Sequence, residues 1–212
     1  MKKAATKLSI EELKSLHAGK RTAIRERLDE FAHITPDEYF YELVYCLLTP
    51  QSSAMNAEKA VRALQKQDFH RNDMDPEPIL GRNDGYIRFH KTKAKHLRMV
   101  KLQFPLIRQH LMNGSPSVDL RTWLVNNVKG LGWKEASHFL RNVGHRNLAI
   151  LDRHILRNLH RSTVIRSLPK TMTPKRYLAI EKKFRRFADS VAIPMDELDL
   201  LFWSMETGEI LK

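Results

Sequence analysis

The chain has 212 residues, 42% hydrophobic and 29% charged, which supports a packed core of one large or two small domains and excludes a disordered chain. Lys and Arg number 37 against 24 Asp and Glu, a formal net charge of +13, which suggests either a polyanionic partner or the solvated surface of a thermophilic or ribosome-adjacent protein. A lone cysteine, Cys46, excludes an intramolecular disulfide and a four-cysteine iron–sulfur cluster, and no apolar run approaches the ~18 residues of a membrane span.

In chain order the pattern is helical almost throughout. Ser9 to Glu12 reads as a capping box opening a helix toward Phe31. Thr35-Pro36-Asp37-Glu38 reads as a second start, with a cap, a proline in the first turn and acids at the positive helix end. The helix that follows places Phe40, Leu43, Val44 and Leu47 at i, i+3, i+4 and i+7, and Cys46 in the same apolar run reads as a buried thiol. Further helices are expected near 53–67, 91–111, 117–128, 133–143, 151–161, 174–191 and 195–206, with loops at 74–85, 113–116 and 166–173. No alternating strand pattern occurs, so the fold class is all-α, with no Gly- or Ser-rich linker dividing it.

Charge is gathered rather than spread. Residues 129–186 hold fifteen Lys/Arg against three acids, Glu135, Asp152 and Glu181, and so carry +12 of the total. A second cluster, Arg88, Lys91, Lys93, Lys95, Arg98 and Lys101, contains no acid. Charge collected into patches favours phosphate contacts over general solubility.

The window from Val128 to Arg153 opens the basic tract. Gly130 supplies the left-handed residue that stops one helix, and Gly132 lets the backbone turn again before the next. The first amides of that next helix, near Gly132 to Lys134, form a nest for a phosphate oxygen, with Lys129 beside it. Lys134 sits in the first helical turn, where the positive end of the dipole works against an ammonium and favours the neutral amine a nucleophile needs. Ala136, Phe139, Leu140 and Val143 form the apolar face, which leaves Lys134, His138 and Arg141 on the other. Asp152, the sole acid in Ala149-Ile150-Leu151-Asp152-Arg153-His154-Ile155-Leu156, suits the N-cap of the helix running to about Arg161. One oxygen can cap while the other remains available for chemistry. An amine and a carboxylate eighteen positions apart beside a phosphate nest suit breaking a glycosidic bond in DNA.

These residues resemble the helix-hairpin-helix DNA glycosylases. Val128 to Ala136 is similar to the hairpin, and Leu151-Asp152-Arg153-His154 to its aspartate motif. Gly-Trp-Lys-Glu-Ala-Ser-His-Phe-Leu-Arg-Asn from Gly132 and Ala-Ile-Leu-Asp-Arg-His from Ala149 look like the type-2 8-oxoguanine DNA glycosylase/AP lyases. Leu47 to Ser52 and Leu198 to Lys212 fit the same resemblance, which covers nearly the whole chain. Endonuclease-III-like relatives carry a cysteine cluster that one cysteine cannot form.

The resemblance implies two helical domains with a cleft that receives an extruded nucleotide. One is a central helical barrel over 36–146, ending in the hairpin; the other combines 1–35 with 147–212. It implies Lys134 as the nucleophile at C1′ of the deoxyribose, a Schiff base, β-elimination of the strand, and Asp152 stabilising the cationic sugar. For base recognition it implies Phe89 and Trp203 as stacking aromatics and the terminal Lys212 close to the base. For the backbone it implies Lys129, Gly130, Gly132 and Arg153. On residues alone, Trp203 also fits plain core and Lys212 a frayed terminus. Gln51, after Pro50 at a helix boundary, fits filling the vacated stack, touching the base, or capping the next helix. His138 and Arg141 fit either phosphate contacts or ordinary helix surface.

No cofactor and no metal is required, although backbone carbonyls of Asn126, Val128 and Leu131 match positions that hold a monovalent cation in related hairpins. The expected partner is double-stranded DNA containing oxidised guanine, met by a monomer in the cytoplasm or nucleoid of a prokaryote. Two other readings stay open: a glycosylase for another lesion, and a non-catalytic hairpin module that binds DNA. An RNA-binding role has less support, because single-strand reading modules are absent.

Overall fold

The computed structural model describes residues 7–210, which hold ten α-helices and no strand among them. The chain falls into two compact units, one formed by the chain up to His33 and from Gly144 onward, the other by Ile34–Val143.

The Ile34–Val143 unit is built around α2 (Tyr39–Leu48), which packs against α3 (Ala54–Lys66), α5 (His90–Leu111) and α7 (Trp133–Asn142). Phe40, Leu43, Val44 and Leu47 are buried, as their spacing predicts, but so are Tyr45, Cys46 and Leu48, because neighbours cover this helix on every side. Glu42 is buried as well, its carboxylate accepting a hydrogen bond from the Asn142 side chain at 3.0 Å. The start of α2 differs from the sequence expectation. The Glu38 carboxylate turns back to accept both the amide and the hydroxyl of Thr35, at 2.9 and 2.7 Å. Thr35, Pro36 and Asp37 therefore form a turn, and the helix begins only at Tyr39. The expected loop at 74–85 contains a four-residue helix, α4 (Glu77–Leu80), entered after Pro76. It is too short to show a period in the sequence, yet it buries Ile79 and Leu80.

α5 runs through Pro105 without ending. Its buried residues, Lys93, Ala94, Leu97, Val100, Phe104, Ile107 and Leu111, trace one helical stripe. α6 (Ser117–Asn127) pairs with α7. Arg121 of α6 is fully buried, donates to the Ser137 hydroxyl at 3.1 Å, and lies 5.0 Å from the ring centroid of Trp133, the first residue of α7.

In the other unit, α10 (Met195–Thr207) packs against α1 (Ile10–Ala32), α8 (Arg153–Arg161) and α9 (Pro174–Val191). Leu198, Leu200, Leu201 and Phe202 form its core, with Phe202 stacked on Phe184 at 5.9 Å. The expected capping box at Ser9 and Glu12 closes in both directions, at 3.1 and 2.9 Å. Buried Glu197 is held by His17 at 2.6 Å and Arg25 at 3.0 Å, so the carboxylate is paired on both oxygens.

Candidate active site

The hairpin lies between α6 and α7, over Val128 to Gly132. Gly130 adopts φ +95°, and a Cβ there would stand 2.5 Å from His96 Nδ1 of α5, so both backbone and space demand glycine. Gly132, where the backbone was expected to turn again before the next helix, has an extended backbone with φ −90° and ψ −178°, and a Cβ there would stand 2.9 Å from Glu135 Oε2. It serves as the N-cap of α7 without a side-chain cap, so the first amides of α7 precede the helix's own ladder and point outward. Lys129 is exposed beside them, and its charge adds to burial in lowering the His96 pKa, burial being the larger cause.

Lys134 is the second residue of α7. Its side chain is 25% exposed, and Nζ lies 3.2 Å from Glu135 Oε1 in an ion pair. The rest of α7 corrects the two-faced reading. His138 and Arg141 are buried, not presented to solvent. His138 meets Tyr45 edge to face at 5.8 Å, and Arg141 donates to Asn142 at 3.1 Å. With α2 on one side and α6 on the other, the helix has no free face beyond its first turn, so neither residue is available to phosphate.

Asp152 caps α8. Its Oδ1 accepts from the amides of His154 and Ile155, both at 2.8 Å, and Oδ2 makes no hydrogen bond among the described residues. Arg153 is exposed next to it. His154 meets the ring of Trp203 edge to face at 6.4 Å, which ties the aspartate turn to α10. Trp203 itself is partly exposed, unlike the buried Leu200, Leu201 and Phe202 before it, so it is not plain core. Lys212 lies outside the described residues.

Gln51 and Phe89 share an unusual backbone. Both are exposed, and both adopt the left-handed region, with φ of 57° and 61°. Phe89 precedes α5, is 51% exposed, and has Arg88 stacked 5.0 Å from its ring centroid. The two turns are joined: the Arg88 amide donates to the Ser52 hydroxyl at 3.0 Å, and Asn56 donates to the Tyr86 carbonyl at 3.0 Å. Of the alternatives for Gln51, capping the next helix is not met, because Ser53 caps α3 instead, accepting from the Asn56 amide.

The basic cluster over 88–101 also needs correction. Lys93 is buried, Arg98 pairs with Asp75, and Lys101 donates to the Asn72 carbonyl. Acceptors from the 72–75 loop and from α2 absorb much of what local composition left unpaired. Within the Ile34–Val143 unit the structure thus brings together Gln51, Phe89, Lys93, Lys134 and the hairpin. Asp152, Arg153 and Trp203 belong to the other unit.

The Ogg-HhH family model, described as 8-oxoguanine DNA glycosylase, matches residues 24–193. The chain belongs to this family. It is 45% identical over 212 residues to an 8-oxoguanine DNA glycosylase/AP lyase of Fusobacterium nucleatum, covering 95% of this chain and 96% of that one. The counterpart from Methanocaldococcus jannaschii is 35% identical, with 96% and 97% coverage. A crystal structure of the M. jannaschii glycosylase/lyase with a 15mer DNA containing 8-oxoguanine matches with a TM-score of 0.86 at 32% identity, covering 96% of this chain and 99% of that one. The Thermotoga maritima 8-oxoguanine DNA glycosylase matches with a TM-score of 0.84 at 30% identity, with 96% and 98% coverage.

Two features beside these residues were not anticipated from the sequence: the Glu135 carboxylate against Lys134, and the burial of Lys93 against the carbonyls of Leu48 and Pro50. Glu135 was visible only as an acid in a basic tract. Lys93 carried a clearer signal, because it falls in phase with the apolar stripe of α5.

Proposed function

We propose that this chain excises 8-oxoguanine from duplex DNA and then cuts the abasic strand, with Lys134 as nucleophile. The observation that carries the reading is Lys134 in the first turn of α7, ion-paired to Glu135, directly after the Gly130 turn. The hairpin amides and Lys129 anchor a backbone phosphate, and the amine beside them is delivered to the sugar.

In the first step the Lys134 amine, having given up its proton, bonds to C1′. The C1′–N9 bond breaks, its electron pair leaves with the base, and the base takes up a proton. The Glu135 carboxylate at 3.2 Å is placed to accept the proton that Nζ must lose. Asp152, with Oδ1 fixed by the two amides of α8, offers Oδ2 to the positive charge that develops on the sugar. Opening of the sugar ring gives a Schiff base. Loss of a C2′ proton then breaks the C3′–O bond and expels the 3′ phosphate, and water frees the lysine. Phe89 and Trp203 are partly exposed aromatics suited to stacking an extruded purine, at ~1–3 kcal/mol per base. Gln51, presented from its left-handed turn, contacts the gap left in the duplex.

Borohydride reduction during turnover of an 8-oxoguanine duplex is expected to trap a covalent complex, and Lys134→Gln to abolish it. An unchanged trapped band in Lys134→Gln removes Lys134 as nucleophile. A panel of duplexes with oxidised pyrimidines and mismatches tests the lesion: faster turnover on any of them overturns the choice of 8-oxoguanine.

A further inference from the structure

Lys93 is 6% exposed, in the interior of α5, where the proposed reaction does not use it. Its ammonium donates to the Leu48 carbonyl at 2.7 Å, the Pro50 carbonyl at 2.7 Å and the Ser52 hydroxyl at 3.3 Å. These acceptors bracket Gln51. Leu48 O belongs to the last turn of α2, where carbonyls lack intrahelical partners, and Pro50 and Ser52 flank Gln51 directly.

A glutamine at φ 57° is held against its own backbone preference, so the surroundings must over-determine the turn. A buried cation is itself costly and persists only when well bonded. Burial pulls the Lys93 pKa down from 10.5 to about 8, with the charge of Lys134 adding to the effect and that of Glu135 opposing it. The Ser52 hydroxyl extends the link, since it also accepts from the Arg88 amide next to Phe89. One ammonium therefore connects the two exposed left-handed residues, Gln51 and Phe89.

We propose that Lys93 is a positioning residue that holds the Pro50-Gln51-Ser52 turn in the conformation presenting Gln51 to the duplex, so that it governs base extrusion rather than the covalent chemistry. This rests on the role given above to Gln51. It separates two demands on the enzyme: a base-containing duplex must be opened, whereas an abasic site has no base to extrude. Lys93 should matter for the first and little for the second.

The test uses full-length wild type, Lys93→Met, Gln51→Ala and the double variant. Each is assayed in single turnover on an 8-oxoguanine duplex, and for strand cleavage on a duplex with a preformed abasic site. Methionine fills the lysine stem's volume without its charge. Lys93→Met is expected to slow excision by ~30-fold or more while cleaving the abasic duplex within ~3-fold of wild type. The double variant is expected to be no slower than the slower single variant, because both changes disable the same turn. Equal losses on the two substrates, or losses that multiply in the double variant, overturn the proposal. If thermal melting shows that Lys93→Met does not fold, Ser52→Ala carries the test, removing one acceptor and keeping the lysine. A ~5-fold loss confined to the base-containing duplex supports the role, and equal loss on both overturns it. Failure of wild type on 8-oxoguanine would instead sink the functional reading itself.

Discussion

The proposed mechanism gives Asp152 two tasks on two oxygens, and substitution can separate them. Oδ1 caps α8 through two 2.8 Å bonds, while Oδ2 is the oxygen the proposal assigns to the sugar. Asparagine keeps an oxygen for the cap and is as good an N-cap residue as aspartate, so Asp152→Asn is expected to lose less than ~0.5 kcal/mol of stability. Alanine removes the cap and is expected to cost ~1–2 kcal/mol, a fall of about 2–8 °C in melting temperature for a chain of this size. The charge acts differently. Two unit charges ~4 Å apart at an effective dielectric of ~20 interact by ~4 kcal/mol. Loss of that interaction in the transition state corresponds to roughly 10³-fold in rate. Single-turnover excision of 8-oxoguanine should therefore fall by about three orders of magnitude in both variants. DNA affinity should change only several-fold, and only Asp152→Ala should melt early. The reasoning fails if Asp152→Asn excises near the wild-type rate, or if its loss of binding matches its loss of excision.

Two further outcomes follow from the same geometry. Gly130→Ala places a side chain at φ +95° against His96, and is expected to destabilise the protein by ~1–3 kcal/mol in urea denaturation. His96→Ala in the same chain should recover only part, because the backbone strain remains; an unchanged midpoint for Gly130→Ala would contradict the geometry. Lys93, with its folded pKa lowered to about 8, binds fewer protons folded than unfolded between that value and its ordinary 10.5. Stability should therefore rise with pH across that window, by up to ~1.4 kcal/mol per pH unit, from this group alone. Below pH 8 the lysine is protonated in both states and contributes no slope. Lys93→Met should lack the rise, measured as the difference between the two proteins' stability curves from pH 7.5 to 10; parallel curves would contradict the assignment.

Helix positions were readable in the sequence because each rests on a local pattern. The box at Ser9, the stripe from Phe40 to Leu47 and the cap at Asp152 involve residues within one or two turns of each other. Gly130 was readable for the same reason, since a helix stop needs a left-handed residue whatever surrounds it. At Gly132 the spacing places the residue just before the next helix, but the close approach of the Glu135 carboxylate to it depends on a side-chain conformation that spacing does not report. His138 and Arg141 were misplaced because helical period reports one apolar face. It does not report that a second and third helix cover the remainder.

The sequence by itself determined the all-helical class, the hairpin, its lysine and the capping aspartate, each written in neighbouring residues. Tertiary structure decided which charges face water. Lys93 and Lys129 are both lysines in basic stretches, yet one is buried against the carbonyls of Leu48 and Pro50 and the other stands exposed at the hairpin. The difference comes from acceptors more than forty residues away in the chain, at Leu48, Pro50 and Ser52, which only folding brings to Nζ. Charge is a property of a residue, but its solvation is a property of the packing around it.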